Sequence, residues 1–165
     1  MAITQLRGNE VHTVGELPSV GSTVPSYTLT GQDLVDFTSD DLKGSHVVLN
    51  IFPSIDTGVC SESVRKFSEI ASGLEDARIV CVSADLPFAL KRFCGAEGID
   101  NVTVGSAFRT SFGTDFGITM TDGGMRGLLA RSVVVYDADG RVLHTQVVDD
   151  IGHEPDYDAA VAALG

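Results

Sequence analysis

Val47-Val48-Leu49-Asn50-Ile51-Phe52 is a continuous run, apolar except for Asn50, and it stops at Pro53. A run without alternation, bounded by proline, predicts a strand buried on both faces at the centre of a sheet. The chain then passes through Ser54-Ile55-Asp56-Thr57-Gly58-Val59 and delivers Cys60 into a pattern of another period. Cys60, Val64, Phe67, Ala71 and Leu74 are spaced four, three, four and three residues apart, with Ser61, Glu62, Arg65, Lys66 and Glu69 on the other face. An amphipathic helix therefore follows the strand, and a thiol stands in its first turn.

That position favours an anion, because the first N–H groups of a helix have no partner within it. The thiolate, not the thiol, is the nucleophile. Bringing an ordinary thiol from about 8.5 to about 6 requires roughly 3.4 kcal/mol, and a helix start supplies about 0.3 to 1. A cation must supply the rest, and an arginine about 4 Å away contributes on the order of 4 kcal/mol at an effective dielectric near 20, before desolvation. Arg65, Arg109, Arg126 and Arg131 are all available. Arg131 opens the apolar strand Ser132-Val133-Val134-Val135-Tyr136, where a purely surface cation is out of place, whereas Arg126 reads as a solvated loop charge.

Outward from this stretch, Arg78 to Ser83 is a second buried strand, and strand, helix, strand implies a parallel right-handed crossover. Asp85 and Pro87 open a helix containing Phe88, Ala89, Phe93 and Cys94, with Gly95 as its stop. Ile3 to Leu6 and Val11 to Val14 predict an N-terminal hairpin, and Tyr27 to Leu29 with Leu34 to Phe37 a second one. A short turn of helix is expected at Ser39 to Leu42, a strand at Val102 to Val104 and a short helix within Arg109 to Phe116. Arg131 to Tyr136 and Arg141 to Val148 flank the turn Asp137-Ala138-Asp139-Gly140, and Tyr157, Ala160, Val161 and Leu164 mark a terminal helix. The order predicts an α/β fold, a central mixed sheet flanked by helices, in a single domain spanning residues 1–165 with no repeat or linker.

With 11 basic against 23 acidic residues the net charge is −12, which argues against nucleic acid or an anionic membrane as partner. No basic segment followed by an apolar core opens the chain and no apolar run approaches eighteen residues, so a cytoplasmic location is expected. Three cysteines, an odd number, suit a reducing compartment in which thiols react transiently. There is no Cys-x-x-Cys, which disfavours a dithiol-exchange enzyme, and His12, His46, His144 and His153 are scattered, so no metal site is expected. Asp115-Phe116-Gly117 lacks the glycine-rich phosphate loop that would give it meaning.

Pro53, Thr57 and Cys60, in the spacing Pro-x-x-x-Thr-x-x-Cys, resemble the active-site loop of the peroxiredoxins. The longer string Asn50 to Cys60, with Ser63-Val64-Arg65-Lys66-Phe67 behind it and Glu154-Pro155-Asp156-Tyr157 near the end, resembles their bacterial thiol peroxidase branch. The resemblance implies a thioredoxin-like fold with an N-terminal β-hairpin. It implies reduction of hydrogen peroxide and organic hydroperoxides at Cys60, with Cys94 as the resolving cysteine and Arg131, in Gly127-Leu128-Leu129-Ala130-Arg131, as the active-site guanidinium. Thr57, three residues before Cys60, is expected to hydrogen-bond the thiolate and a peroxide oxygen, and Pro53 to shape and shield the loop. Cys81, in an apolar strand, reads as core. The resemblance further implies thioredoxin as reductant, a homodimer, and no metal, flavin or haem.

Both helices should begin at one edge of the sheet, yet Cys94 lies seven residues beyond Pro87, roughly 10 Å along its helix. A disulfide requires Cα atoms within about 7 Å, so local unwinding near Cys60, Cys94 or both is expected in each cycle. A redox switch acting on a protein partner is the alternative from another class, and a binding module with inert cysteines is a third.

Overall fold

A computed structural model describes residues 1–165. Ile3–Leu6 (β1) and Asn9–His12 (β2) pair antiparallel through the tight turn at Arg7 and Gly8, both at positive φ. The second strand was expected to run to Val14, but β2 ends at His12, and beyond it Thr13 bridges Met120 and the Val14 N–H donates to the Thr119 carbonyl at 2.8 Å. Residues 13–15 thus pair with the 117–120 segment on one side while the Thr13 N–H and the Gly15 carbonyl still bond Ala2, just ahead of β1, on the other.

Thr28–Thr30 (β3) and Asp36–Thr38 (β4) form the second hairpin, followed by a 3₁₀ turn at Ser39–Leu42. His46–Ile51 (β5), Gly58–Ala71 (α1), Ala77–Ser83 (β6), Pro87–Glu97 (α2) and Thr103–Ser106 (β7) come next. The short helix Phe112–Asp115 (α3), the hairpin Ser132–Tyr136 (β8) and Val142–Val147 (β9), and Tyr157–Ala162 (α4) complete the chain. Seven strands form one sheet in the order β4-β3-β7-β6-β5-β8-β9. β5, β6 and β7 are mutually parallel, while β8 runs antiparallel beside β5.

β5 is central and covered on both faces, which is why its sequence does not alternate. Val47, Leu49 and Ile51 pack with Tyr27, Leu29, Phe112, Phe116 and Val134 on one face. Val48 and Phe52 pack with Val64, Phe67, Leu90, Val133 and Val135 under α1 and α2 on the other. A third, smaller cluster of Val11, Met120, Ala130 and Ile151 seats the N-terminal hairpin against the 120–130 segment.

Two helix ends differ from expectation. α1 stops at Ala71, and Leu74 packs on the same core from outside the helix. α2 does not stop at Gly95 but continues to Glu97 and closes at Gly98, whose φ of 65° takes the left-handed conformation that a non-glycine residue rarely adopts. The N–H groups of Gly98 and Ile99 both fold back onto the Cys94 carbonyl.

Candidate active site

The sheet topology gathers the site. Because β5, β6 and β7 are parallel, Ile51, Ser83 and Ser106 end at one edge, and antiparallel β8 begins there, with Ser132 opposite Ile51. Pro53, Asp85 and Arg131 each lie within two residues of such a strand end, so segments far apart in sequence converge outside the carboxyl edge of the parallel strands.

Thr57 is the residue that precedes α1, in extended conformation at φ −98° and ψ 147°, and Cys60 lies in the first turn, fully buried. The first hydrogen bond closing the helix runs from the Ser61 N–H to the Thr57 carbonyl at 3.0 Å. The N–H groups of Gly58, Val59 and Cys60 precede it, and no side chain caps them. They provide the positive end of a helix at the sulfur.

Arg131 is 2% exposed, and one terminal nitrogen, Nη2, donates to Cys60 Sγ at 3.1 Å. Its Nε donates to the Ile151 carbonyl at 2.9 Å, which fixes the plane of the guanidinium, while Nη1 is buried without an acceptor. The ion pairs of the molecule, all at least partly exposed, do not include Arg131. A buried guanidinium with no carboxylate beside it is poorly balanced unless the sulfur it touches is an anion. At 3.1 Å the attraction to a thiolate is about 5 kcal/mol at an effective dielectric of 20, before desolvation. The Ile151 carbonyl is held in turn by the hairpin: Ile151 N–H donates to the Gln5 carbonyl at 2.8 Å, and the Thr4 hydroxyl to the Val148 carbonyl at 2.8 Å.

The hydroxyl of Thr57 makes a bond other than the one expected. Oγ1 donates to the Ser54 carbonyl at 3.1 Å, within the turn that the Thr57 N–H closes onto the same carbonyl, and makes no bond to Cys60. With its proton so used, the hydroxyl presents lone pairs and can accept. Pro53 is buried and leads the loop.

All three cysteines are free and buried in one apolar cluster. Burial pushes the Cys94 thiol up, and pushes the Cys81 thiol up to about 12 despite an Asn50 Nδ2 contact of 3.7 Å to its sulfur. Among the predicted site residues the structure joins Cys60 directly to Arg131, sets Thr57 at the mouth of the same helix, and leaves Cys94 on α2 in the reduced state.

Residues 19–161 match the Redoxin family, and the chain belongs to it. It is 59% identical over 165 residues to the thiol peroxidase of Mycobacterium tuberculosis strain H37Rv, covering 100% of this chain and 99% of that one. It is 56% identical over 164 residues to the thiol peroxidase of Corynebacterium glutamicum, covering 99% of each. A peroxiredoxin-like protein from Aquifex aeolicus superposes with a TM-score of 0.94 at 38% identity, covering 99% of this chain and 96% of that chain. Within the redoxin family the chain is therefore a peroxiredoxin-type enzyme of the bacterial thiol peroxidase branch, with the thioredoxin-like fold of that family.

Proposed function

We propose that the chain reduces hydrogen peroxide and organic hydroperoxides through Cys60, with Cys94 as the resolving thiol. The observation that carries this reading is the buried contact between Arg131 Nη2 and Cys60 Sγ at 3.1 Å, at the start of α1. The Cys60 thiolate attacks the terminal oxygen of the hydroperoxide. The S–O bond forms as the O–O bond breaks, sulfur losing two electrons, and the departing oxygen leaves as water or alcohol once protonated. Arg131 Nη1, which has no protein acceptor, is the donor free for a peroxide oxygen, and the lone pairs of Thr57 Oγ1 accept the peroxide proton's hydrogen bond. Pro53 keeps the loop rigid and its sulfur side dry.

The Cys60 sulfenic acid then condenses with the Cys94 thiol, forming the S–S bond and releasing water. An external dithiol, of the thioredoxin type, reduces the disulfide to two thiols and becomes a disulfide itself. This reading takes residues 1–165 as one domain, acting in the cytoplasm as a homodimer and needing no metal or organic cofactor.

Mass-spectrometric thiol mapping tests it. Reduced protein mixed anaerobically with one equivalent of hydrogen peroxide and quenched within milliseconds is expected to yield a Cys60–Cys94 disulfide with Cys81 free. Three unmodified thiols would reject the enzyme reading, and oxidised Cys60 with Cys94 untouched would reject the resolving step. Cys60→Ser is expected to abolish turnover with thioredoxin and its reductase.

A further inference from the structure

Asp85 stands one residue ahead of Leu86, the position from which a side chain caps α2. Its carboxylate does not do so: α2 has no side-chain cap. It reaches across to the loop before α1. Oδ1 accepts from the Ser54 hydroxyl at 2.9 Å, and Oδ2 accepts from the Ile55 N–H at 2.7 Å and the Ser83 hydroxyl at 2.6 Å. The Asp85 N–H donates to that same Ser83 hydroxyl at 3.2 Å. The Ser106 hydroxyl donates to the Asp85 carbonyl, and the Ala107 N–H to the Ser83 carbonyl at 2.8 Å, so the ends of β6 and β7 hold the aspartate still.

The chain of contacts continues to the sulfur. Ser54, held by Asp85, offers its carbonyl to both the N–H (3.2 Å) and the hydroxyl (3.1 Å) of Thr57. Thr57 in turn starts the helix whose first turn carries Cys60. One carboxylate thus fixes the Cys60 loop from the element that leads into the Cys94 helix. The other link from α2 to this loop, Arg92 to Asp56 at 2.6 Å, joins two side chains more than 60% exposed and is screened by solvent.

We propose that Asp85 is a positioning residue of the peroxide site: it holds residues 54–57 where Thr57 starts the helix that sets Cys60 against Arg131, and its bonds are released when Cys60 and Cys94 approach each other. The inference rests on the peroxidase reading above. It implies opposite effects on two steps. Loosening the loop lowers the population that reacts with peroxide and raises the population that forms the disulfide.

Quench-flow thiol mapping of Asp85→Ala separates the steps. Loss of the Cys60 thiol to one equivalent of hydrogen peroxide is expected to slow by about 10- to 100-fold. Disulfide formation from the sulfenic acid is expected to quicken severalfold, and the sulfinic fraction at excess peroxide to fall. Asp85→Asn should recover most of the peroxide rate, because its amide oxygen can accept from Ile55 and Ser83 while the Ser54 hydroxyl rotates to accept from its NH₂ group. Both steps slowing together, or neither changing, in a folded Asp85→Ala protein overturns the inference. Where that variant does not fold, Ser54→Ala removes one bond from the loop side and must shift the two rates in the same opposite directions, more weakly. Failure of the peroxidase reading shows separately, as wild-type protein that gives no Cys60 sulfenic acid. The positional part then stands or falls on amide exchange, which must quicken at residues 54–60 in Asp85→Ala.

Discussion

Gly95 follows the proposed resolving cysteine directly and lies inside α2, two residues before the helix ends at Glu97. Its φ is not positive, and a Cβ added there meets nothing within 4 Å. Gly95→Ala should therefore stabilise the helical state by about 0.5 to 1 kcal/mol, the usual difference between the two residues inside a helix. If Cys94 must leave helical geometry to reach Cys60, the open population falls by about two- to fivefold at room temperature, and disulfide formation slows by the same factor. The reaction of Cys60 with peroxide should be unchanged, since Gly95 touches nothing at the Arg131 site. Quench-flow mapping gives both rates in one experiment. At excess peroxide the sulfinic fraction of Cys60 should rise, because the second oxidation gains time against the disulfide. A raised melting temperature with an unaltered disulfide rate would refute the reasoning and locate the opening wholly in α1.

Arg131→Gln should lower the rate of Cys60 with peroxide by about 10²- to 10³-fold, as for loss of one oxyanion donor, and Arg131→Lys should restore little of it because a point charge cannot touch sulfur, Ile151 and peroxide together; stopped-flow oxidation decides it. Cys81, pushed up to about 12 by burial, should stay unmodified by iodoacetamide at pH 8 in the native protein and react only after unfolding, read by mass spectrometry. His12 is raised chiefly by its hydrogen bond to Asp122, which links β2 to the 121–127 loop; its contribution to stability is thus full below the unfolded value near 6.5 and lost as pH rises through the higher folded value. Melting curves from pH 6 to 9 should show that decline, and His12→Asn should reduce it, the residue coming from the likewise raised His153 beside Asp149.

The run Val47 to Phe52 and the four-three-four spacing from Cys60 were legible because burial on two faces and burial on one face leave different periods in a sequence. The stop of α2 was not. Gly95 and Gly98 are both glycines, and only the backbone distinguishes Gly98, at φ 65°, from a glycine that remains helical. Asp85 reads as a helix opener in sequence, since nothing local says that its carboxylate will cross to Ser54 and Ile55, some thirty residues away. The Ile151 carbonyl that orients Arg131 is invisible for a simpler reason: a backbone acceptor has no residue signature. Arg131 stood out among four arginines by its place before an apolar strand, but it took the resemblance of Gly127 to Arg131 to the peroxiredoxin segment to choose it, and the antiparallel pairing of β8 with β5 explains why that place is beside Cys60.

The two cysteine helices are anchored unequally, and that inequality bears on how the cycle could run without unfolding the protein. α1 buries Cys60, Ser63, Val64 and Phe67, and the Phe67 ring meets Tyr157 of α4 edge-on at 5.1 Å. α2 buries only Pro87, Leu90 and Cys94 and leaves Phe88 64% exposed. Withdrawing the end of α2 costs the packing of Cys94 and of half-buried Ile99, about 1.5 to 3 kcal/mol for one such side chain, and the exposed Arg65–Glu97 ion pair, while Leu90 stays seated one turn earlier. That is a fraction of the roughly 5 to 15 kcal/mol that holds a domain folded, so the segment from Cys94 to Ile99 can open while the sheet and its three apolar clusters stay intact. In the proposed cycle Cys60 needs the opposite property, since its geometry to Arg131 has to survive until peroxide arrives. It has that in the directional bonds from Asp85 to the loop and in the Ile151 carbonyl that fixes the plane of Arg131. A firmly held Cys60 and a lightly held Cys94 are therefore what a fast first step and an accessible second step require.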